Sequence, residues 1–438
     1  MALSELGFGD LADAHMRALP RPRRVSTPVI LKAGLAVILL AVSLMTATGL
    51  QAATRRSHAI TDLRQRATPL LMNTEALYVA LADADAAASS AFLQAGSEST
   101  ELHARYVDDL DSAGRRVATV SGDLGSPANL GQTNEISAGL PSYAALVEEG
   151  RTNNRLDNPV GAAWQRRASE QMRVSLMPAA TELYGAALQR FDADSRVGTD
   201  RSLQIALIIA ASVAGMAIVV VQLLLIRRTR RLVNVGLAIA TASMVVALVV
   251  VVDRLESQRS ALIQSQQQGS DQLVAFSTVR ILAMLSLSYA NLDIIERGIE
   301  PVNRTEFDKT VAKVASKGTD DGILQIAERR AADPSVLAEI RGSWSAYLDA
   351  HHRVDESALS NGYYADATLA AVKARSAAAD AVGHALDERI VIAREDLDRG
   401  LADAAVSLNL LRELLVAVSG VVALAASAGI WLRIREYR

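Results

Sequence analysis

Apolar residues along the chain are concentrated in four blocks, 29–50, 203–226, 232–252 and 414–432, with two long stretches, 51–202 and 253–411, in which apolar and polar positions alternate with helical spacing. Each block meets the length test for a membrane-spanning helix, since about 20 residues rising 1.5 Å apiece cross a hydrocarbon core of roughly 30 Å. Lys32 lies inside the first block, one turn from its end, where its long side chain can snorkel to the headgroups. Between the blocks the apolar positions recur at intervals of three and four, as in Leu77 and Leu81 or Leu176, Ala180, Leu183 and Ala187. That is the period of an amphipathic helix.

The polar residues flanking the blocks set an orientation. Arg21, Arg23 and Arg24 precede the first, Arg227, Arg228, Arg230 and Arg231 join the second to the third, and Arg433, Arg435 and Arg438 follow the fourth. Short Lys- and Arg-rich segments stay in the cytoplasm. The expected layout is a cytoplasmic Arg-rich arm 1–28, spans 29–50 and 203–226, a cytoplasmic turn 227–231, spans 232–252 and 414–432, and a cytoplasmic tail 433–438. Segments 51–202 and 253–411 are then extracytoplasmic, both termini are cytoplasmic, and the protein belongs in the plasma membrane. A secretory signal peptide is the competing reading of the first block, with Ala47 and Gly49 as small residues near a cleavage site. The second copy of the pattern at 232–252 argues against it.

The order of span, long external segment and span occurs twice, with local matches separated by about 202 to 214 residues, which marks an internal tandem repeat. Glu75 to Gly96 matches Ser277 to Gly298, and Tyr143 falls opposite Tyr347. Ala211 to Gly215 and Ala425 to Gly429 carry small residues four apart, which let helix backbones approach closely. Each external segment reads as four helices. The first has 51–95, 98–120, 134–151 and 160–200, with a Gly-, Ser-, Pro- and Asn-rich loop at 122–132; the second has 255–297, 305–331, 335–359 and 364–411. The fold class expected is therefore all-α: four transmembrane helices carrying two tandem extracytoplasmic four-helix bundles, with the outer helices continuous with the spans. A 45-residue helix is roughly 65 Å long, so the bundle tips stand well away from the bilayer. They are 96–100 with 153–159, and 298–304 with 360–364.

Composition changes this picture only by exclusion. A net charge of −3 rules out a strongly basic nucleic-acid binder, and the absence of Cys removes disulfides, thiolate metal sites and cysteine nucleophiles. Mean hydropathy is +0.18 despite 93 charged residues, as expected when the apolar residues are concentrated in blocks. His15, His58, His103, His351, His352 and His384 show no one-face spacing of four, so a metal site is not expected and these positions read as solvated. Asp83 and Asp85 are two apart on a helix and face different sides; Asp108, Asp109 and Asp111 read as a solvated face. No phosphate-binding loop, dinucleotide fingerprint, kinase motif set or nucleophile elbow occurs, so neither a catalytic function nor a cofactor is expected. Within the spans Lys32 is the one charge, and Gln222 either bonds between helices or, the preferred reading, reaches the headgroups. Ser26 and Thr27 follow a basic pair and read as a juxtamembrane linker or a basophilic kinase site.

The paired helical segments resemble the four-helix-bundle sensor modules of bacterial chemoreceptors and sensor kinases, without those proteins' cytoplasmic signalling helices. The whole layout, with an Ala- and Arg-rich composition typical of actinobacteria, resembles the GlnX family, the membrane component of the actinobacterial GlnX, GlnH and PknG amino-acid sensing system. That resemblance implies a relay of extracellular aspartate or glutamate availability from a GlnH-like solute-binding lipoprotein to a PknG-like cytosolic Ser/Thr kinase. It rests on layout and carries over no binding residues. The residues singled out for partner binding are therefore the polar and aromatic groups of the tips, Asn153, Asn154, Arg155, Asp157, Asn361, Tyr363 and Tyr364, which are also residue types that end helices well. Cytoplasmic docking is assigned to the Arg clusters, which also suit anionic lipid. A direct small-molecule sensor, an accessory transporter subunit and a membrane scaffold remain as alternatives, and a homodimer is compatible with each.

Overall fold

A computed structural model describes residues 27–94, 100–124, 127–229, 235–265, 269–315, 322–325 and 335–436. Among these residues every regular element is helical and none is a strand. In chain order the helices are α1 (Thr27–Asp62), α2 (Thr68–Leu93), α3 (Thr100–Leu124), α4 (Pro127–Arg155), α5 (Val160–Gln171), α6 (Met177–Thr199), α7 (Ser202–Thr229), α8 (Val235–Ser265), α9 (Asp271–Ile295), α10 (Pro301–Val314), α11 (Ser335–Asn361) and α12 (Asp366–Glu436).

The chain divides into two compact units. One gathers the described residues within 1–51, 204–252 and 412–438, and its helices show large apolar side chains such as Leu40, Val213, Val246 and Leu424 outward. Backbones meet closely here where side chains are absent: a Cβ on Gly236 would lie 2.5 Å from the Cα of Gly429, so α8 and α12 touch at a glycine pair. Gly215, in the other small-residue step, meets nothing within 4 Å. The Thr46 hydroxyl bonds Ser419 between α1 and α12 at 2.6 Å, and Thr241 reaches Gln222 at 3.5 Å, the interhelical alternative for that glutamine.

Among the described residues five helical stretches are long and apolar enough to cross a membrane, compatible with a multi-pass membrane protein. The fourth in chain order, Asp271–Ile295, differs from the rest: 67% of its most apolar window is buried inside the protein, against 22–33% for the others. Its hydrophobicity is that of a helix covered on every side by its neighbours.

The second unit joins 52–203 with 253–411. The sequence pattern suggested two bundles in tandem; the two halves instead pack as one body, with α2 and α9 side by side at its centre. Buried hydrogen bonds stitch these helices in parallel register. Ser288 donates to Asp85, and Asn291 donates to Ser89 and Ser90, so each residue meets a partner 201 to 203 positions along. Contacts between equivalent positions are what a twofold dimer interface produces, and here one chain supplies both sides. Asp85 is fully buried and collects four helices, accepting from Tyr143 of α4 (3.3 Å), Ser169 of α5 (2.8 Å) and Ser288 of α9. In the second half Tyr347 bonds Ser286 at 2.9 Å, and the fully buried Arg375 donates to Asn291 at 2.7 Å.

Local structure departs from the sequence pattern in several places. The expected loop at 122–132 is mostly helix, because Pro127 opens α4 from its first position and Gly131 is accommodated within it. The long first helix of the first half carries a π-helical turn at Leu63–Ala67, the fourth carries another at Met172–Leu176, and residues 269–270 repeat the first about 203 positions on. Helix α6 does not run into α7: Asp200 is extended, and the buried Arg56 donates to its carbonyl at 2.6 Å. His351 is not a solvated position but stacks on Phe307 with ring centroids 3.9 Å apart, and Asp109 turns from the expected solvated face toward a groove.

Candidate functional site: the tip cleft

Three turns come together at one end of the helical unit, those following α4, α9 and α11, and they enclose a cleft of about 700 Å³. The α4 turn is built by asparagine. Asn158 donates to the Asn153 side chain at 2.8 Å, its own Oδ1 receives the Val160 N–H at 3.2 Å, and Asp157 is left with φ of +52°. The α9 turn is a Schellman stop, with the Gly298 N–H on the Asp293 carbonyl (2.8 Å) and the Arg297 N–H on that of Ile294 (3.1 Å). Arg297 takes the left-handed position at φ +57°. Gly298, at +69°, sits in the left-handed region that favours glycine, and the Tyr363 hydroxyl lies against it.

Asp157 and Arg297 are the two non-glycine residues with positive φ among the described residues, and both line the cleft. Such backbones are held against a cost of about 1–2 kcal/mol by their surroundings, and they gather at functional sites. The Arg297 guanidinium lies 5.1 Å from the centroid of the Tyr364 ring. Glu296 pairs loosely with Arg166 at 3.9 Å and accepts from Asn303 at 2.7 Å, yet burial pushes its carboxyl above the ordinary range, with the neighbouring Glu300 acting in the same direction. The cleft thus carries mixed charge, Asp157, Glu296 and Glu300 against Arg166 and Arg297. Around the same turns Leu156, Val160, Ile299, Val302 and Leu359 are exposed, and clustered exposed apolar residues beside polar ones are a feature of docking surfaces.

Of the tip residues singled out from sequence, Asn154, Asp157 and Tyr364 line the cleft. Two of them also hold the fold. Asn154 donates to the Phe92 carbonyl at 2.6 Å and Tyr364 to the Ile295 carbonyl at 2.9 Å, so equivalent last-turn carbonyls of α2 and α9 are each capped by a side chain from their own half. Asn153 stays within its turn, bonding the Glu149 carbonyl, and Asn361 bonds Ser357 at 3.3 Å. Tyr363 packs on the apolar cluster of Phe92, Leu292 and Val354 beneath, while Arg155 lines a small apolar pocket beside Tyr106. Arg166, Glu296 and Arg297 were not singled out. Arg166 gives no signal among helical charges; the Arg-Gly pair after an apolar helix is the Schellman pattern that marks Arg297. Arg21, Arg23, Arg24, Arg230 and Arg231 lie outside the described residues; Arg227, exposed, and Arg228 fall in the last turn of α7.

No curated protein and no solved structure matches the chain. Residues 59–196, running from the end of α1 to the end of α6, match the family model of the actinobacterial sensor domain. That match supports an actinobacterial sensor protein with a role in sensing and signalling.

Proposed function

We propose that the chain is a non-catalytic transmembrane signal transducer of the plasma membrane. In this reading four helices span the bilayer with both termini in the cytoplasm, and the helical unit is extracytoplasmic. Its tip cleft receives a GlnH-like solute-binding lipoprotein loaded with aspartate or glutamate, and the message passes to a cytosolic effector such as a PknG-like Ser/Thr kinase. The observation that carries the reading is the cleft itself, where two left-handed non-glycine residues, one from each half, stand among exposed apolar side chains. A partner seated there touches both halves at once. Relay is supported by the unbroken helix α12, whose residues belong to both units, because a small shift or rotation of a continuous helix is a known way to carry a signal.

The test is binding of solute-binding lipoproteins to the full chain in lipid nanodiscs, with and without aspartate or glutamate. Binding at micromolar affinity that depends on the amino acid, and that weakens with Ile299→Ser or Glu300→Arg, is the expected outcome. The volume of the cleft favours a second reading, a direct small-molecule sensor. It predicts the reverse pattern: a free amino acid raises the melting temperature of the chain while no lipoprotein binds.

A further inference from the structure

On one flank of the helical unit a groove between α2 and α3 of the first half and α9 and α12 of the second holds a cavity of about 270 Å³. Its charged residues are Glu75, Asp83, Asp109 and Asp387 against Arg280 and Arg394. Both guanidiniums are engaged: Arg280 bonds Asp83 Oδ2 at 2.7 Å and pairs with Asp387, and Arg394 bonds Glu75. Charge is left over on the acid side, four carboxylates against two guanidiniums, although the buried Nε groups of Arg280 and Arg394 also lack acceptors. Asp83, only 3% exposed, keeps a buried Oδ1 with no donor, and a buried Oδ2 of Asp109 also lacks one. A buried acceptor without a donor is unfavourable, and these two oxygens are placed to take one from a ligand.

Packing between the halves does not by itself require this charge. The positions 203 residues beyond Glu75 and Asp83 are Thr278 and Ser286, and the position 203 before Arg280 is Leu77. At these positions of the paired central helices, the acids and the arginine on this flank have neutral counterparts. We propose that the groove binds a small organic molecule bearing a primary ammonium group. Asp83, Asp109 and the Ser112 hydroxyl receive its three N–H donors, and the aliphatic wall of Val79 and Ile390 receives its alkyl part. A metal ion fits less well, since two arginines line the space and no group of three metal-ligating residues occurs among the described residues. The cavity is below the size range of sites for drug-sized ligands, which fits a short amine. This inference does not depend on the tip cleft.

The electrostatics agree with the geometry. Burial first, and then Asp83, push the Asp109 carboxyl up to about 7, against Arg105 and Arg280; Asp108 adds to the rise. Asp387 and Arg394 of α12 face the same space. An entering cation favours the ionised form, so binding near neutral pH releases a proton.

The experiment is titration calorimetry of the full chain in nanodiscs with n-butylamine and 1,4-diaminobutane, with n-butanol as the uncharged control. Runs at pH 7 use two buffers of different protonation enthalpy. Expected are saturable binding of the amines, none of butanol, proton release, and affinity about tenfold higher at pH 8 than at pH 6 as Asp109 ionises. Asp109→Asn, a substitution of equal shape at a half-buried site, weakens amine binding at least tenfold, and Asp192→Asn, exposed on α6 away from both the groove and the tip cleft, leaves it unchanged. Absence of saturable amine binding to the folded wild type, equal binding of butanol, or affinity that ignores pH between 6 and 8 overturns the proposal. Because the pH series uses the wild-type chain, a variant that fails to fold does not leave the matter open.

Discussion

Replacing Asp85 by alanine removes the acceptor on which α2, α4, α5 and α9 converge, and the structure sets the size of the effect. Tyr143, Ser169 and Ser288 are all fully buried and all donate to Asp85. Ser169 and Ser288 sit in helices, where a freed hydroxyl can turn back to a carbonyl one turn earlier at small cost. Tyr143 has no such local partner, and an orphaned buried hydroxyl costs about 1–3 kcal/mol. Adding the lost bonds to the carboxyl oxygens brings the expected destabilisation to about 3–5 kcal/mol. Asp85→Asn keeps an oxygen toward Tyr143 and Ser169 and can turn its amide to the Ser288 oxygen, so its loss is smaller, about 1–2 kcal/mol. Equilibrium denaturation of the full chain in detergent micelles measures both. Adding Tyr143→Phe to Asp85→Ala removes the orphan and returns about 1 kcal/mol. Because Ser288 lies in the other half, amide exchange across Asp271–Ile295 accelerates in Asp85→Ala. A loss below about 1 kcal/mol, with exchange in α9 unchanged, would refute the claim that Asp85 ties the halves together.

Three further outcomes follow from other parts of the molecule. His351 is held neutral, its pKa lowered to about 3 mainly by burial and then by Arg375, His352 and Arg304, which together outweigh Asp355 at 3.7 Å. Its folded value lies below its unfolded one, so its contribution is present above about pH 6.5 and is lost as pH falls toward 3; His351→Gln flattens acid melting over that window. Arg297→Gly relieves a left-handed residue worth about 1–2 kcal/mol while losing a cation–π contact worth about 0.5–1 kcal/mol, so melting changes little or rises, whereas lipoprotein binding weakens. Gly236→Val drives a side chain into the backbone of Gly429, and the overpacking lowers stability in micelles by about 1–3 kcal/mol.

The helical character of the chain was legible because apolar spacing and length carry it directly, and the apolar blocks were legible for the same reason. The mutual packing of the halves was not. It is encoded by Asp83, Asp85, Ser89, Ser90 and Asn291, polar types that suit a helix surface, and only the absence of any polar stripe on α2 and α9 hints that both are covered all round. The loop expected at 122–132 failed because Gly, Ser, Pro and Asn are turn formers on average, while Pro127 at the start of a helix is an ordinary opening. At the tip, composition picked out Asn154 and Tyr364, but what they do first is close the ends of α2 and α9. Arg166 and Glu296 reach the cleft through the packing of the two halves, which no local pattern reports.

The central claim, relay across the membrane from the tip cleft, is tested most directly in cells lacking the chain and complemented with wild type or with Ile299→Ser plus Glu300→Arg. The quantity to measure is phosphorylation of the cytosolic kinase's substrates before and after glutamate is added outside. The account predicts a glutamate response with wild type that is lost with the tip variant at equal membrane abundance. An equal response from both strains, or from cells with no copy of the chain, would contradict it.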